Sequence, residues 1–168
     1  MDRRAVITGL GMVTPLGIGK EENWKQLTAG ASGVKELTRF ETKELNVTIA
    51  GEITDFKARD YIKDRKAVKL SQPMVHLAIA ASQLAVQDAD LNTEDVDPAR
   101  FGAFIGSGGG GFEEGPGFPE LVEPLTKAWS EEEKKFDPVK FGANSIARTY
   151  PLFLLKTLPN NAFYYISL

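Results

Sequence analysis

The chain has 168 residues, 42% of them apolar, with 20 basic and 23 acidic side chains, one histidine and no cysteine. Without cysteine there is no disulfide, no thiolate zinc site and no cysteine nucleophile among these residues, and one imidazole cannot complete a hydrolase triad or a two-histidine metal site. A net charge of −3 gives no basic excess for nucleic acid, no apolar run approaches the 18 residues of a membrane span, and Met-Asp-Arg-Arg leads into too short an apolar run for a signal peptide; a cytoplasmic protein is expected.

Ala5, Val6 and Ile7 read as a short buried strand, after which Gly9, Gly11 and Pro15 force a turn. Glu21 to Leu27 reads as a helix with Trp24 and Leu27 on one face, ended by Gly30 and Gly33. Asn46 to Ile53 alternates as one half of a hairpin would. Lys57 to Lys69 is a charged connector with a short helix, and its basic side chains read as a solvated face. Ser71 to Leu91 is the strongest helix, with Ser71 placed as N-cap and Pro73 in the first turn. Nearly every residue from Met74 to Val86 is apolar or small, which predicts burial on several sides and close approach by a neighbouring helix or sheet. His76, inside that run, reads as a core or boundary histidine rather than a ligand.

Asn92 to Arg100 is a polar connector. Phe101 to Ile105 reads as a strand buried on both faces, running into Ser107 and the glycines at 108 to 111. Leu121 to Trp129 is a short helical piece, Ser130 to Lys135 a solvated helix end, and Phe136 to Ala147 irregular. Tyr150 to Leu168 is strongly apolar, broken at Pro151 and Pro159.

The glycine run lies where a ligand sits in an α/β sheet, at the end of a strand. Glycine turns sharply and admits close approach to its backbone. Gly106-Ser-Gly-Gly-Gly-Gly111 satisfies the letter of G-x-G-x-x-G, but a dinucleotide site needs a helix opening at the last glycine. Here Phe112-Glu-Glu-Gly-Pro-Gly-Phe-Pro119 brings two prolines, and two carboxylates where a pyrophosphate would lie. Nucleotide binding is not expected.

Three stretches, Arg4-Ala-Val-Ile-Thr-Gly-Leu-Gly-Met-Val-Thr-Pro-Leu-Gly17, Ala85-Val-Gln-Asp-Ala-Asp-Leu91 and Gly102-Ala-Phe-Ile-Gly-Ser-Gly-Gly-Gly-Gly111, resemble the N-terminal part of the β-ketoacyl-[acyl carrier protein] synthases of type II fatty acid and polyketide synthesis. Tyr150-Pro-Leu-Phe-Leu-Leu-Lys-Thr-Leu-Pro-Asn160 is a looser match to the family's proline-aromatic segment.

The resemblance implies an α/β thiolase fold of two similar βαβαβαββ halves layered α-β-α-β-α. Residues 1–168 would be an incomplete N-terminal ketosynthase domain, ending before the catalytic nucleophile. It implies a decarboxylative Claisen condensation of acyl and malonyl thioesters. In the family a cysteine carries the acyl group, and two histidines, or one histidine and an asparagine, assist decarboxylation. Those groups are expected beyond Leu168, so no catalytic residue and no metal ligand is assigned within the chain. No cofactor is implied; the implied partners are acyl carrier protein and a ketosynthase chain, in a homodimer or heterodimer.

Two substrate-binding positions carry over with the resemblance. Gly109 stands where the family walls its acyl pocket, and the missing side chain implies a roomier pocket; a tight turn that needs glycine is the alternative. Phe153 matches the aromatic that reaches across the dimer to the partner's acyl pocket, with a plain core residue as the alternative. After Pro159 and Asn160 the family has small residues, whereas this chain has Asn161-Ala-Phe-Tyr-Tyr165. That crowding near the expected active-site floor fits a catalytically silent, chain-length-factor-like partner as well as it fits an active synthase. Tyr164 to Leu168 is expected to lack a packing partner.

Overall fold

The computed structural model of the protein describes residues 4–43, 45–106, 117–148, 151–152, 156–158 and 160–167. The first elements are a tight antiparallel hairpin, β1 (Val13–Thr14) and β2 (Gly17–Ile18), turning on Pro15 and Leu16. Helix α1 (Lys20–Thr28) follows and ends just before Gly30, whose φ of +70° suits a residue without a Cβ. The strand foreseen in residues 46–53 is half of a hairpin: β3 (Val34–Glu36) pairs antiparallel with β4 (Ile49–Gly51), Lys35 opposite Ala50. The charged connector holds two short helices, α2 (Ala58–Tyr61) and α3 (Arg65–Leu70), the second started by Asp64, whose carboxylate accepts from the Lys66 amide at 2.8 Å.

Helix α4 (Pro73–Asp88) is the longest described element. It begins later than the sequence predicts. Gln72 holds the cap position, and Ser71 ends α3 instead, its hydroxyl donating to the Ala67 carbonyl. Because α3 stops at Leu70, both the amide (3.0 Å) and the hydroxyl of Ser71 close on the Ala67 carbonyl of its last turn.

Two 3-10 turns (Thr93–Asp95 and Pro98–Arg100) make up the polar connector. Then come α5 (Gly117–Ala128), β5 (Trp129–Ser130), β6 (Lys135–Phe136), α6 (Pro138–Arg148) and α7 (Asn161–Ile166). Residues 130–135 are therefore a β-hairpin tip and not a helix end, with Lys134 at φ +50° and paired to Glu131 at 2.6 Å. Residues 138–148 are helical where irregular chain was expected. Asp137 caps α6 by accepting from the amides of Val139 (2.9 Å) and Lys140 (3.0 Å), and Pro138 needs no partner at the first helical position. Phe141 seats the helix on the hairpin, its ring 5.5 Å from that of Phe136, and α6 lies against α5.

The core gathers on α4, around Ile62, Ala67, Val75, Ile79 and Ala162. Helix α7 lies along α4, and Tyr165 and Ile166 pack on this cluster, so part of the C-terminal apolar run does have a partner; Tyr164 stays 55% exposed. The two expected buried strands differ more. Neither 5–7 nor 101–105 joins a ladder among the described residues, Val6 and Ile7 are 78% and 82% exposed, and Phe104 is fully exposed. A strand buried on both faces needs neighbours on its edges and a layer on each side. Here α4 lies against residues 9–11 and Ile105, and no parallel sheet forms among the described residues. No helix among them is long and apolar enough to cross a membrane.

Candidate functional site

Helix α4 positions everything around the candidate site. A Cβ on Gly9 would lie 2.3 Å from the Ala85 carbonyl oxygen, and one on Gly11 1.9 Å from that of Ala81. The glycines therefore let the N-terminal segment lie directly on the helix, along a stripe of Ala81, Ala85 and Ala89 spaced four apart. This is the close approach that the alanines predict. Asp88, at the end of α4, fastens the same segment. Its carboxylate accepts from the Leu10 amide at 2.9 Å and pairs with Lys20 at the start of α1. The hydrogen bond from Lys20, and then that from Leu10, holds the Asp88 carboxyl below its usual pKa, while the carboxylate raises that of Lys20. Asn23, buried under the first hairpin, donates to the carbonyls of Gly17 (2.9 Å) and Gly19 (2.8 Å) and accepts from the Thr14 hydroxyl. This fixes the turn.

Gly109 and Phe153, the two positions assigned to the acyl pocket, lie outside the described residues. Described residues on either side of them, Ile105 and Ala162, share one apolar cluster. Ile105, just before the glycine run, packs against the cluster that contains Val75 and Ile79 of α4. Ala162, in the first turn of α7, belongs to that cluster.

His76 is 8% exposed and bears out the reading as a core residue. Its Nε2 lies 3.0 Å from the Ser71 hydroxyl, which gives its own hydrogen to Ala67 and so accepts from the ring. Burial lowers the imidazole pKa; a hydrogen bond with the Val68 backbone opposes this, and the Lys156 cation adds to the lowering. Among the described residues no group of three or more His, Cys, Asp or Glu is placed to hold a metal ion.

Two features were not assigned a role from the sequence. Lys57, Arg59, Lys63, Arg65, Lys66 and Lys69 make a basic stretch on and around α2 and α3, and none of them makes an ion pair with a described residue. Most other lysines are paired, for example Lys127 with Glu123 at 2.8 Å. The signal was visible as a run with only Asp60 and Asp64 between the basic residues; Asp64 is spent as the α3 cap. The second feature is an apolar groove of about 420 Å³ between the N-terminal segment and α1, lined by Leu10, Met12, Leu16, Trp24 and Leu27.

Residues 2–147 match the family model of the β-ketoacyl synthase N-terminal domain. The chain is 37% identical over 112 residues to 3-oxoacyl-[acyl-carrier-protein] synthase 2 of Staphylococcus aureus (strain N315), covering 67% of this chain and 27% of that protein. Among solved structures it is similar to the ishigamide ketosynthase/chain length factor, with a TM-score of 0.67 at 23% identity, covering 96% of this chain and 36% of that one. It is also similar to one chain of the structure described as a type II polyketide synthase acyl-carrier protein in complex with its ketosynthase bound to the hexaketide, with a TM-score of 0.59 at 21% identity, covering 99% of this chain and 35% of that one. These structures show the fold to be the thiolase-like fold of ketosynthases. The chain spans about a quarter to a third of the length of the relatives it matches.

Proposed function

This chain belongs to the β-ketoacyl synthase family, and on that footing we propose that it supplies part of the acyl pocket of a 3-oxoacyl-[acyl carrier protein] synthase assembly. The assembly would perform decarboxylative condensation of acyl and malonyl thioesters in fatty acid or polyketide synthesis, in the cytoplasm and as a homo- or heterodimer. The supporting observation is that Ile105, four residues before Gly109, and Ala162, nine residues after Phe153, share one apolar cluster with Val75 and Ile79 of α4. A wall without a side chain at Gly109 leaves room for a longer or bulkier acyl group, and Phe153 is read as the aromatic offered to the partner's pocket.

The chain contains no thiol, so the acyl thioester forms on a cysteine outside these residues. In the alternative reading, a silent chain-length-factor-like partner, that cysteine belongs to the other chain of a heterodimer and the pocket-shaping role is the same. We assign the acyl carrier protein to the basic face of α2 and α3, where unpaired cations are ready for an anionic partner. In the complete assembly, Gly109→Met is expected to shorten the products by one or more two-carbon units, read by mass spectrometry. An unchanged product profile would reduce Gly109 to a turn residue and remove the pocket role.

A further inference from the structure

His76 is the sole histidine, buried in the core, and no part of the proposed condensation uses it. We propose that it is an acid-operated latch: protonation of His76 releases the segment 156–166 from helix α4.

The geometry makes the neutral ring part of the packing. His76 reaches from the first turns of α4 to Ser71, and Ser71 reaches to Ala67 in the last turn of α3. The ring thus ties the α3–α4 corner through a residue that is itself only 2% exposed. Ala67 and Val75, beside this tie, share their cluster with Ala162 of α7, and Tyr165 and Ile166 cover it. What loosens the corner therefore loosens α7.

A proton on the ring would find no counter-charge. The elements packed on α4 bring Arg59, Asp60 and Tyr61 on α2, Arg65, Lys66 and Lys69 on α3, and Tyr164 and Tyr165 on α7. The turn before α7 brings Lys156, and among the described residues Lys156 is the one whose charge bears on the imidazole. Asp64 acts on Tyr165, not on His76. An imidazolium here would lose hydration and meet the Lys156 cation, with only the hydrogen bond to the Val68 backbone in its favour, and the chain relieves it by opening toward water.

The sign follows from linkage. The packed state favours the neutral ring and the opened state lets it titrate normally, so packing is at full strength above the ordinary histidine value near 6.5. It weakens as pH falls from there toward the depressed value of the packed state. One proton per opening event makes the opening constant rise about tenfold per pH unit within that window. The latch stands on the packing and does not depend on the ketosynthase reading.

The test uses the 168-residue chain labelled with ¹⁵N. With one histidine, the ring nitrogens titrate as a single assignable signal. Amide exchange of residues 156–166 is followed over the same pH range, with 138–148 on α6 as internal reference. The expected result is a ring that titrates below the ordinary histidine range, with protection of 156–166 falling as pH drops from about 6.5 toward that titration and that of 138–148 unchanged. Lys156→Met should move the ring titration upward by removing the opposing cation. His76→Gln keeps a donor toward Ser71 and should abolish the pH dependence. Should that variant fail to fold, the wild-type and Lys156→Met titrations still decide. A ring that titrates at the ordinary value, or protection of 156–166 that ignores the ring titration, overturns the latch.

Discussion

A methyl group at Gly11 would have to share space with the Ala81 carbonyl of α4, and helix backbone cannot step aside as a flexible side chain can. Gly11→Ala is therefore expected to destabilise the chain by about 2–3 kcal/mol, measured by urea denaturation. Gly102→Ala meets nothing within 4 Å and should stay within about 0.5 kcal/mol. Equal effects at the two sites would mean that residues 9–11 do not rest on α4. This contact was half legible in the sequence. The small residues on both sides of it could be read off, but not which of them meet. The hold of Asp88 on Leu10 and Lys20, partners 78 and 68 residues away, follows no local pattern and needed the folded chain to be seen.

At the scale of elements, capping decided one segment that the sequence reading misplaced, 138–148, and strand pairing another, 130–135. Gly142 and Asn144 weaken helix propensity in residues 138–148, and that hid a start signal written in Asp137 and Pro138. Asp137→Ala removes both amide contacts and should cost about 1 kcal/mol, with loss of helix content seen by circular dichroism. No loss would mean that packing against α5 alone holds α6. The run Glu131-Glu-Glu-Lys-Lys135 errs the other way. Its residues favour helix, yet Trp129 pairs across to Phe136, and local ion pairs such as Lys135 with Glu133 at 2.5 Å hold the tip as a turn. Periodicity carried α1 and α4, where apolar spacing and packing agree.

For the molecule as a whole, charge is distributed against its sum. A chain with net charge −3 concentrates, on and around α2 and α3, cations that have no ion pair among the described residues. Long-range attraction of an anionic partner depends on that local face more than on the total. Lys66→Glu combined with Lys69→Glu is expected to weaken carrier-protein binding by the assembly about tenfold at low salt, with the difference shrinking as salt rises. Unchanged affinity by calorimetry would place the docking surface elsewhere. The sequence made this run visible but not its lack of partners, because pairing is set by neighbours brought in from other elements. The family was legible from four motifs. Among the described residues the expected sheet does not form, and the strand-like runs at 5–7 and 101–105 have the apolar composition of buried strands without a ladder there.

Those two runs set the terms on which the chain can exist in a crowded cell. Apolar backbone outside any described ladder offers amides and carbonyls to a passing strand, and of the gatekeeper charges that natural edges use, Ala5-Val-Ile7 and Phe101-Gly-Ala-Phe-Ile105 have only Arg4 and Arg100 beside them. Left uncovered, they invite aggregation and chaperone capture. The lifetime of the soluble chain is then governed by how quickly these segments are covered after synthesis.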